Sequence, residues 1–495
     1  MRYINTINSV LLYPSSGLGF VFLLAFTGRF VGFIGIGGIG MSGIAEIMHN
    51  LGYQVQGSDL NENDNVLRLR NIGIKVLLGH QPENIHNVSV VVKSTAVKES
   101  NPEILAARAK RIPVVKRSEM LAELMRLKIS IAVSGAHGKT TTTAFIAALF
   151  ETAELSPTVV NGGIINTKGT NAYLGSSDYL IAEADESDGT FIRIPATIAV
   201  ITNIDAEHLD YYGNFDRLKE AYEAFIHNLP FYGFAVVCKD HPEVANLISK
   251  IQDREIITYG INSEYLDIKA INIVENIAGS VFDVEVSERV IGEKFTAEKI
   301  NLPVAGRHNI LNALAAIAIG IKLKFKTQYI IDAFAKFKGV KRRFTKTGEV
   351  NEVSIIDDYA HHPAEIKATL CTATQATKLN KDARIIAIVQ PHRYSRVENL
   401  FSEFVHCFDD ADVVFVSDIY SAGEVPIDGV NKEVLISSLR QNYKNKEILS
   451  LDSPDKLPEI LTKLTKAGDI VIFMGAGTST KWANELPEAW EKYLS

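Results

Sequence analysis

At 495 residues the chain is too long for one core and points to about three domains of roughly 150 residues each. Apolar and charged fractions of 46% and 22% are those of an ordinary soluble globular protein, and a formal net charge of −7 argues against a general nucleic-acid or acidic-membrane surface. Three widely spaced cysteines, Cys238, Cys371 and Cys407, offer neither a disulfide framework nor a zinc pattern, which suits a reducing cytoplasmic setting.

Residues 1–30 stand apart as an N-terminal extension. Arg2 and the apolar run over 18–26 loosely resemble a secretory leader, but the run is too short to span a bilayer. The first module starts near Phe30. Residues 31–36 (VGFIGI) read as a buried strand, followed by Gly35-x-Gly37-Gly38-x-Gly40 and a helix over about 41–51. A strand over 54–57 leads to Ser58-Asp59, and strand–helix alternation continues to a helix over 118–127. A parallel sheet covered on both faces is expected. The glycine spacing, with Asp59 nineteen residues after Gly40, looks like a dinucleotide fingerprint. It places a diphosphate at a helix N-terminus without saying which nucleotide carries it. Glycines needed only for strand–helix packing are the competing reading.

The second module opens with a strand over 129–133, then Ser134-Gly135-Ala136-His137-Gly138-Lys139-Thr140-Thr141, then a helix over 142–150. Strand, Gly-rich turn with Lys and Thr, and helix is how a phosphate loop is built: backbone N–H groups cradle the phosphates, the Lys reaches the terminal ones, and the Thr hydroxyl holds Mg²⁺. Val133 stands where the general pattern has its first glycine, so this loop is a shorter one beginning at Gly135. ATP use is the expectation. Apolar strands over 179–182 and 198–202 each lead into acids, Glu183-Ala184-Asp185-Glu186-Ser187-Asp188 and Asn203-Ile204-Asp205-Ala206-Glu207-His208. Carboxylates at strand ends beside a phosphate loop suit a hard cation. Alternation over 281–286 predicts an antiparallel edge. Helices over 309–322 and 328–337 close the module. Asn309 and Asn312 share a helical face; a capping role and recognition of an adenine edge both stay open.

The third module, from about Lys341, carries strands over 353–357, 385–389, 413–417 and 469–474 separated by helices. Asp357-Asp358-Tyr359-Ala360-His361-His362-Pro363 and Gln390-Pro391-His392-Arg393-Tyr394-Ser395-Arg396 follow two of these strands, at the rim where parallel sheets bind ligands. The paired histidines have no zinc partners at suitable spacing. Arg393 and Arg396 suit a carboxylate or phosphate clamp, or a solvated basic face. The expected fold is α/β in three domains: Rossmann-like over 31–127, a central P-loop ATPase domain with a mixed sheet over 128–340, and Rossmann-like α/β again over 341–495.

Taken in order, these segments resemble the Mur ligase family, from about Val31 to the C-terminus. The resemblance rests on GIGGIGMSG at 35–43, RSEML at 117–121, GAHGKTTT at 135–142, GTN at 169–171, EADESD, TNIDAEH, NLPFYG at 228–233, GRHNILNA at 306–313, VKRRF at 340–344, DDYAHHP and QPHRYSR. The glycine turn looks like that of the alanine-adding branch. The resemblance implies an ATP-dependent acid–amino-acid ligase of peptidoglycan-precursor synthesis. It would join L-alanine to the lactyl carboxylate of UDP-N-acetylmuramate through an acyl phosphate.

The resemblance also implies roles. Gly35, Gly37, Gly38, Gly40, Asp59 and Ser94 would hold the UDP-sugar rather than NAD. Gly135, Ala136, His137, Gly138, Lys139, Thr140 and Thr141 would bind ATP, with Lys139 on its β- and γ-phosphates. Thr140 and Glu183 would hold one Mg²⁺ (or Mn²⁺), and His208 a second metal together with Glu183. Asn309 and Asn312 would contact adenine, and Asp358 the ribose. His361 would approach the phosphates and Arg343 the transferring phosphoryl group. Tyr359, His362, Arg393 and Arg396 would lie near the amino acid or acyl phosphate. Lys139, His208, Arg343 and His361 are the catalytic candidates, and either histidine or a metal-bound hydroxide could deprotonate the amine. The chain departs from the pattern at Ala136, where Thr is common, at Tyr173, where Arg often follows GTNA, and at Gly475-Ala476-Gly477-Thr478, which lacks the usual Asp. A cytoplasmic monomer or weak homodimer is expected, with no nucleic-acid partner and no membrane insertion. A murein-peptide recycling ligase is the near alternative. An NAD-dependent oxidoreductase would leave the phosphate loop unexplained, and a regulatory P-loop ATPase would leave the glycine turn unexplained.

Overall fold

Unbroken apolar runs become strands of parallel sheets, because helices cover both faces and no polar face is needed. The computed structural model describes residues 30–94, 96–276, 278–377 and 382–495. The apolar run over 18–26 and the rest of the extension before Phe30 lie outside the described residues. The chain divides into two compact units, one ending at Tyr259 and one starting at Gly260. Among the described residues no helix is long and apolar enough to cross a membrane.

In the first unit, β1 (Phe30–Ile34), β2 (Gln54–Asp59), β3 (Lys75–Leu78), β4 (Val88–Lys93) and β5 (Val114–Lys116) form an all-parallel sheet in the order β3-β2-β1-β4-β5. The strand order reverses beside β1, so a crevice opens past its C-terminal end. β1 stops at Ile34, before the apolar run ends, because Gly35 takes φ +77° and turns the chain into the helix Ile39–Asn50. That helix starts two residues ahead of the expected position.

The second sheet of this unit contains β6 (Ile129–Ser134), β7 (Thr158–Ile165), β8 (Thr170–Tyr173), β9 (Tyr179–Glu183), β10 (Ile198–Ile201), β11 (Phe234–Cys238) and β12 (Glu255–Gly260). Their order is β12-β11-β10-β6-β9-β7-β8, parallel except for the β7–β8 hairpin. Central β6 buries Ile131, Ala132 and Val133 completely, and the helix Lys139–Thr152 buries Phe145, Ile146, Leu149 and Phe150. Each large apolar side chain removed from water contributes about 1.5–3 kcal/mol. The loop between β6 and that helix is therefore anchored at both ends. The two sheets of the unit meet closely where Asn171 Nδ2 donates to the Ile39 carbonyl at 2.9 Å.

In the second unit, β13 (Ile268–Asn276), β14 (Gly279–Val286) and β15 (Phe295–Leu302) form the antiparallel meander that the alternation predicts. Helices Arg307–Lys322 and Thr327–Ala335 follow. A last sheet is built from β16 (Thr345–Val350), β17 (Val353–Asp358), β18 (Ile385–Val389), β19 (Val413–Ser417), β20 (Glu447–Leu451) and β21 (Ile470–Met474), in the order β16-β17-β21-β18-β19-β20. Only β16 runs antiparallel. The fold is α/β, the class expected.

Candidate active site

The glycine turn after β1 is held from below. The Ser58 carbonyl accepts the N–H groups of Gly35 and Ile36 at 2.9 and 3.0 Å. Asp59 Oδ2 accepts the Gly37 N–H at 2.8 Å, and Asn65 Nδ2 donates to the Gly37 carbonyl at 2.9 Å. Asp59 therefore braces the turn itself. A Cβ on Gly37 would lie 2.8 Å from Val66 Cγ2 and 2.9 Å from Asp59 Oδ2, so only glycine fits. Ser94, at the end of β4, donates its N–H to the Ile34 carbonyl and packs against Gly35. Gly38 and Gly40 flank the first turn of the helix, and Arg117 lies over Gly40.

The phosphate loop has the backbone its sequence requires. Gly135 and Gly138 take φ +132° and +83°, and Gly138 caps the helix that begins at Lys139. The segment after β10 braces it. His137 N–H donates to Asn203 Oδ1 at 2.7 Å, while Asn203 Nδ2 and Thr202 Oγ1 donate back to the His137 carbonyl at 3.0 and 2.6 Å. Ala136 contributes its backbone, donating to the Asn203 carbonyl at 3.4 Å. Thr141 is buried in the first turn of the helix. Asp205 bridges two imidazoles, His137 Nε2 at 3.1 Å and His241 Nε2 at 3.3 Å, and these contacts hold its carboxyl well below the usual range despite burial. Asn203 and His241 are supports that sequence reasoning did not assign.

Lys139 Nζ donates to the carbonyls of Gly135 and Ala136 at 2.6 and 3.0 Å and to Glu186 Oε1 at 2.8 Å. Burial opposes its charge, but Glu186, Asp185, Glu183 and Glu207 together outweigh burial and raise its proton affinity. Burial also pushes the Glu186 carboxyl up to about 7, against the pull of Lys139. The balance differs at the two groups: attraction to carboxylates outweighs burial at Lys139, and burial outweighs the attraction of Lys139 at Glu186. Thr140 Oγ1 donates to Glu183 Oε2 at 3.0 Å, and the Gly162 N–H donates to the same oxygen at 2.8 Å. Thr140 and Glu183 thus come together as anticipated. His208, on a left-handed backbone (φ +56°), instead faces Glu186 at 3.9 Å and Glu207 at 3.7 Å. Asp185, Glu186 and His208 place ligand-type atoms within 4.8 Å of one another. The Glu186 partnership is the main feature of this site that residue patterns did not single out.

In the second unit, Asn309 does not cap its helix; Gly306 is the cap, at φ +100°. Asn309 is buried and donates to the Ala305 carbonyl at 2.7 Å, and Asn312 donates to Asn309 Oδ1 at 3.3 Å. Asp358 ends β17 and accepts the N–H groups of Phe344 and Ala360 at 2.7 and 2.8 Å. Burial nevertheless pushes its carboxyl up to about 6, against the pull of Arg343. Arg342 and Arg343 lie 4.5 and 5.3 Å from the centre of the Tyr359 ring. His361 Nδ1 is 2.9 Å from the Tyr359 carbonyl, and the buried His362 accepts the Ala364 N–H at 3.3 Å. Rings of Tyr359, His361, His392 and Tyr420 form a continuous row, with neighbouring centroids 5.1, 5.7 and 5.5 Å apart. Arg396 Nη1 lies 3.2 Å from His392 Nδ1, and Arg393 sits at φ +68° with its N–H on the Tyr420 carbonyl at 2.8 Å. The β17 and β18 ends thus carry predicted residues of this rim together with His392, and Tyr420, after β19, joins them.

Known proteins match this arrangement throughout. Three family models cover the chain in succession: "Mur ligase family, catalytic domain" over 31–129, "Mur ligase middle domain" over 133–320 and "Mur ligase, glutamate ligase domain" over 342–477. The UDP-N-acetylmuramate–L-alanine ligase of Rhodospirillum centenum is 55% identical over 92% of this chain and 93% of its own length. That of Rickettsia prowazekii is 58% identical, covering 92% of each chain. The crystal structure of the UDP-N-acetylmuramate–alanine ligase of Thermotoga maritima superimposes with a TM-score of 0.77 at 29% identity, covering 94% of this chain and 99% of that one. The glycine turn, the braced phosphate loop and the ringed rim of the last sheet are thus parts of one inherited design, and the chain belongs to the Mur ligase family.

Proposed function

We propose that this protein is an ATP-dependent ligase that joins L-alanine to the lactyl carboxylate of UDP-N-acetylmuramate, the first peptide step of peptidoglycan-precursor synthesis. The observation that carries the reading is the braced loop with Lys139 among carboxylates, in a chain 55–58% identical over 92% of its length to ligases so named. Within it we propose domains over 31–127, 128–340 and 341–495, and a cytoplasmic location, where ATP and the sugar nucleotide are available.

The obstacle to the reaction is repulsion between a carboxylate and a triphosphate. The loop N–H groups and Lys139 offset it by presenting fixed positive charge where the transferring phosphoryl group spreads its own. The sugar carboxylate attacks the γ-phosphorus, ADP leaves, and an acyl phosphate forms. The amine of alanine then attacks the acyl carbon and orthophosphate departs. His361, whose Nδ1 lies 2.9 Å from the Tyr359 carbonyl and 3.2 Å from Glu365 Oε2, is proposed as the base for the amine proton. Arg343 is proposed at the transferring phosphate, Asn309 and Asn312 at adenine, and Asp358 at the ribose. Tyr359, His362, Arg393 and Arg396 are proposed for the amino acid or the acyl phosphate. The oxygen-rich group around Thr140 and Glu183, with Glu186 Oε2 buried and unpartnered among the described residues, fits a hard divalent cation. Thr140 and Glu183 are the proposed ligands of one Mg²⁺ and His208, together with Glu183, of a second divalent metal; cations there would supply charge neutralisation.

The test is orthophosphate release with UDP-N-acetylmuramate crossed against a panel of amino acids and the peptide L-alanyl-γ-D-glutamyl-diaminopimelate. Release that needs both the sugar nucleotide and L-alanine is expected. Release that needs the sugar nucleotide and the preformed peptide, with none for L-alanine, would assign the protein to peptide recycling instead.

A further inference from the structure

Behind the glycine turn lies a buried polar cluster that the reaction scheme leaves unused. Glu103 is 2% exposed and stands in the first turn of the helix Pro102–Ala109. Its Oε2 accepts the Ser58 hydroxyl at 2.8 Å. Its Oε1 accepts Asn84 Nδ2 at 2.7 Å and the Gln81 N–H at 3.3 Å, and lies 3.3 Å from His80 Nδ1. His80 Nδ1 is also 3.0 Å from Ser58 Oγ. The single hydroxyl proton of Ser58 goes to Glu103, and a carboxylate only accepts. Both neighbours of Nδ1 are therefore acceptors, so Nδ1 carries the ring proton. The neutral ring then presents Nε2 as an acceptor. Among the described residues nothing pairs with Nε2, and the His80 side chain keeps 13% of its surface exposed.

The sheet order gives this acceptor a place. The glycine turn follows β1, Ser58-Asp59 end β2, and Gly79-His80 follow β3, and these three strands are neighbours. The ends are tied together, since the Gly79 N–H donates to the Asp59 carbonyl at 2.8 Å. Adjacent strands lie about 4.8 Å apart, which puts His80 roughly 10 Å along the rim from the turn. A nucleoside extending from a diphosphate at the turn along this rim would pass β2 with its ribose and reach β3 with its base.

We infer that His80 reads the uracil of the sugar nucleotide, Nε2 accepting the ring N3–H, and that Glu103 is the positioning residue that fixes the required tautomer. The inference rests on the proposed seat of the UDP-sugar at the glycine turn. Uracil carries a donor at N3 where cytosine carries an acceptor. This tautomer therefore selects UDP over CDP.

Calorimetric titration of the full chain with UDP and with CDP tests it, alongside KM for UDP-N-acetylmuramate. His80→Ala should weaken UDP about tenfold and CDP little, raising KM for the sugar nucleotide while kcat and the KM for ATP hold. Glu103→Gln keeps the volume; Asn84 Nδ2 and the Gln81 N–H hold its amide oxygen at the Oε1 position, so its NH2 donates to Ser58 Oγ, and the Ser58 hydroxyl is then free to donate to Nδ1 and move the ring proton to Nε2. The UDP-over-CDP preference should then shrink or invert, an effect that loss of packing would not produce. Equal weakening of both nucleotides in both variants overturns the inference. Gly37→Val, which collides with Val66 and Asp59, separates the two levels. If it spares UDP binding, the seat at the turn is wrong. If it abolishes binding while His80→Ala leaves the UDP/CDP ratio intact, only the base assignment is wrong.

Discussion

Lys139 is ringed by more carboxylates than it can neutralise, and the Glu186 side chain, 1% exposed, is the partner it touches. The folded protein holds the Glu186 proton to about pH 7, against 4.5 for the free group. Its ionisation therefore weakens the fold. The contribution is fully favourable below about pH 4.5 and declines as the pH rises to about 7, a span of 2.5 units worth ~3 kcal/mol. That figure already contains the attraction of Lys139. Glu186→Gln removes the titration. The glutamine oxygen still accepts from Lys139, which also keeps the Gly135 and Ala136 carbonyls. The new amide N–H takes the place of an oxygen that has no partner, at a cost of about 1 kcal/mol. The variant should be more stable than the parent by ~2 kcal/mol at pH 8, or about 4–8 °C in Tm, and no more stable at pH 5. Urea unfolding of the ligand-free protein at both pH values measures this. A variant less stable at pH 8, or one whose advantage is the same at both pH values, would refute the electrostatic account.

Three further outcomes follow from contacts of the first unit. Lys139→Ala should cut orthophosphate release at least ~100-fold while calorimetric binding of UDP-N-acetylmuramate survives, because the glycine turn is built without it. Gly43→Leu should lower stability to urea by ~1–3 kcal/mol or more, since a Cβ there would stand 2.5 Å from Ala172 Cβ. Asp205→Asn should raise the KM for ATP several-fold and flatten the acid limb of stability. The low carboxyl pKa stabilises the fold above the ordinary Asp range and is lost as the pH falls through it.

Both glycine turns were legible because backbone conformation dictated residue type. Gly35, Gly135 and Gly138 occupy positive φ that only glycine takes without strain, and their spacing survives in the linear order. Strands such as β6 and β18 were legible because burial on both faces writes a continuous apolar run. Partners far apart in sequence were not. Glu186 meets Lys139 across 47 positions, Asn203 meets His137 across 66, and Glu103 meets Ser58 across 45. Local composition said that acids stand near the loop; it could not say which acid the lysine takes. The Asn309 helix shows the same limit in miniature. A capping residue type lies at its start, yet the chain enters through Gly306 and turns the amide back onto Ala305.

The partners of Lys139 also bear on how nucleotide binds. All three donors of Lys139 are engaged, two of them by carbonyls of its own loop, so gripping a phosphate means leaving those partners. The surroundings then hold four acids, Glu183, Asp185, Glu186 and Glu207, with Arg117 3.6 Å from Asp185 as a further cation. A like-charged pair 4 Å apart costs about 4 kcal/mol at an effective dielectric of 20, and a triphosphate brings several such pairs. One lysine and one arginine cannot balance both anions. ATP binding should therefore depend on the proposed divalent cation, with affinity falling at least ~100-fold in excess chelator. Glu183→Gln, by removing one of the facing charges, should lessen that dependence. Equal ATP affinity with and without Mg²⁺ would show that the loop neutralises the triphosphate alone, and that the surplus of carboxylates has been misread.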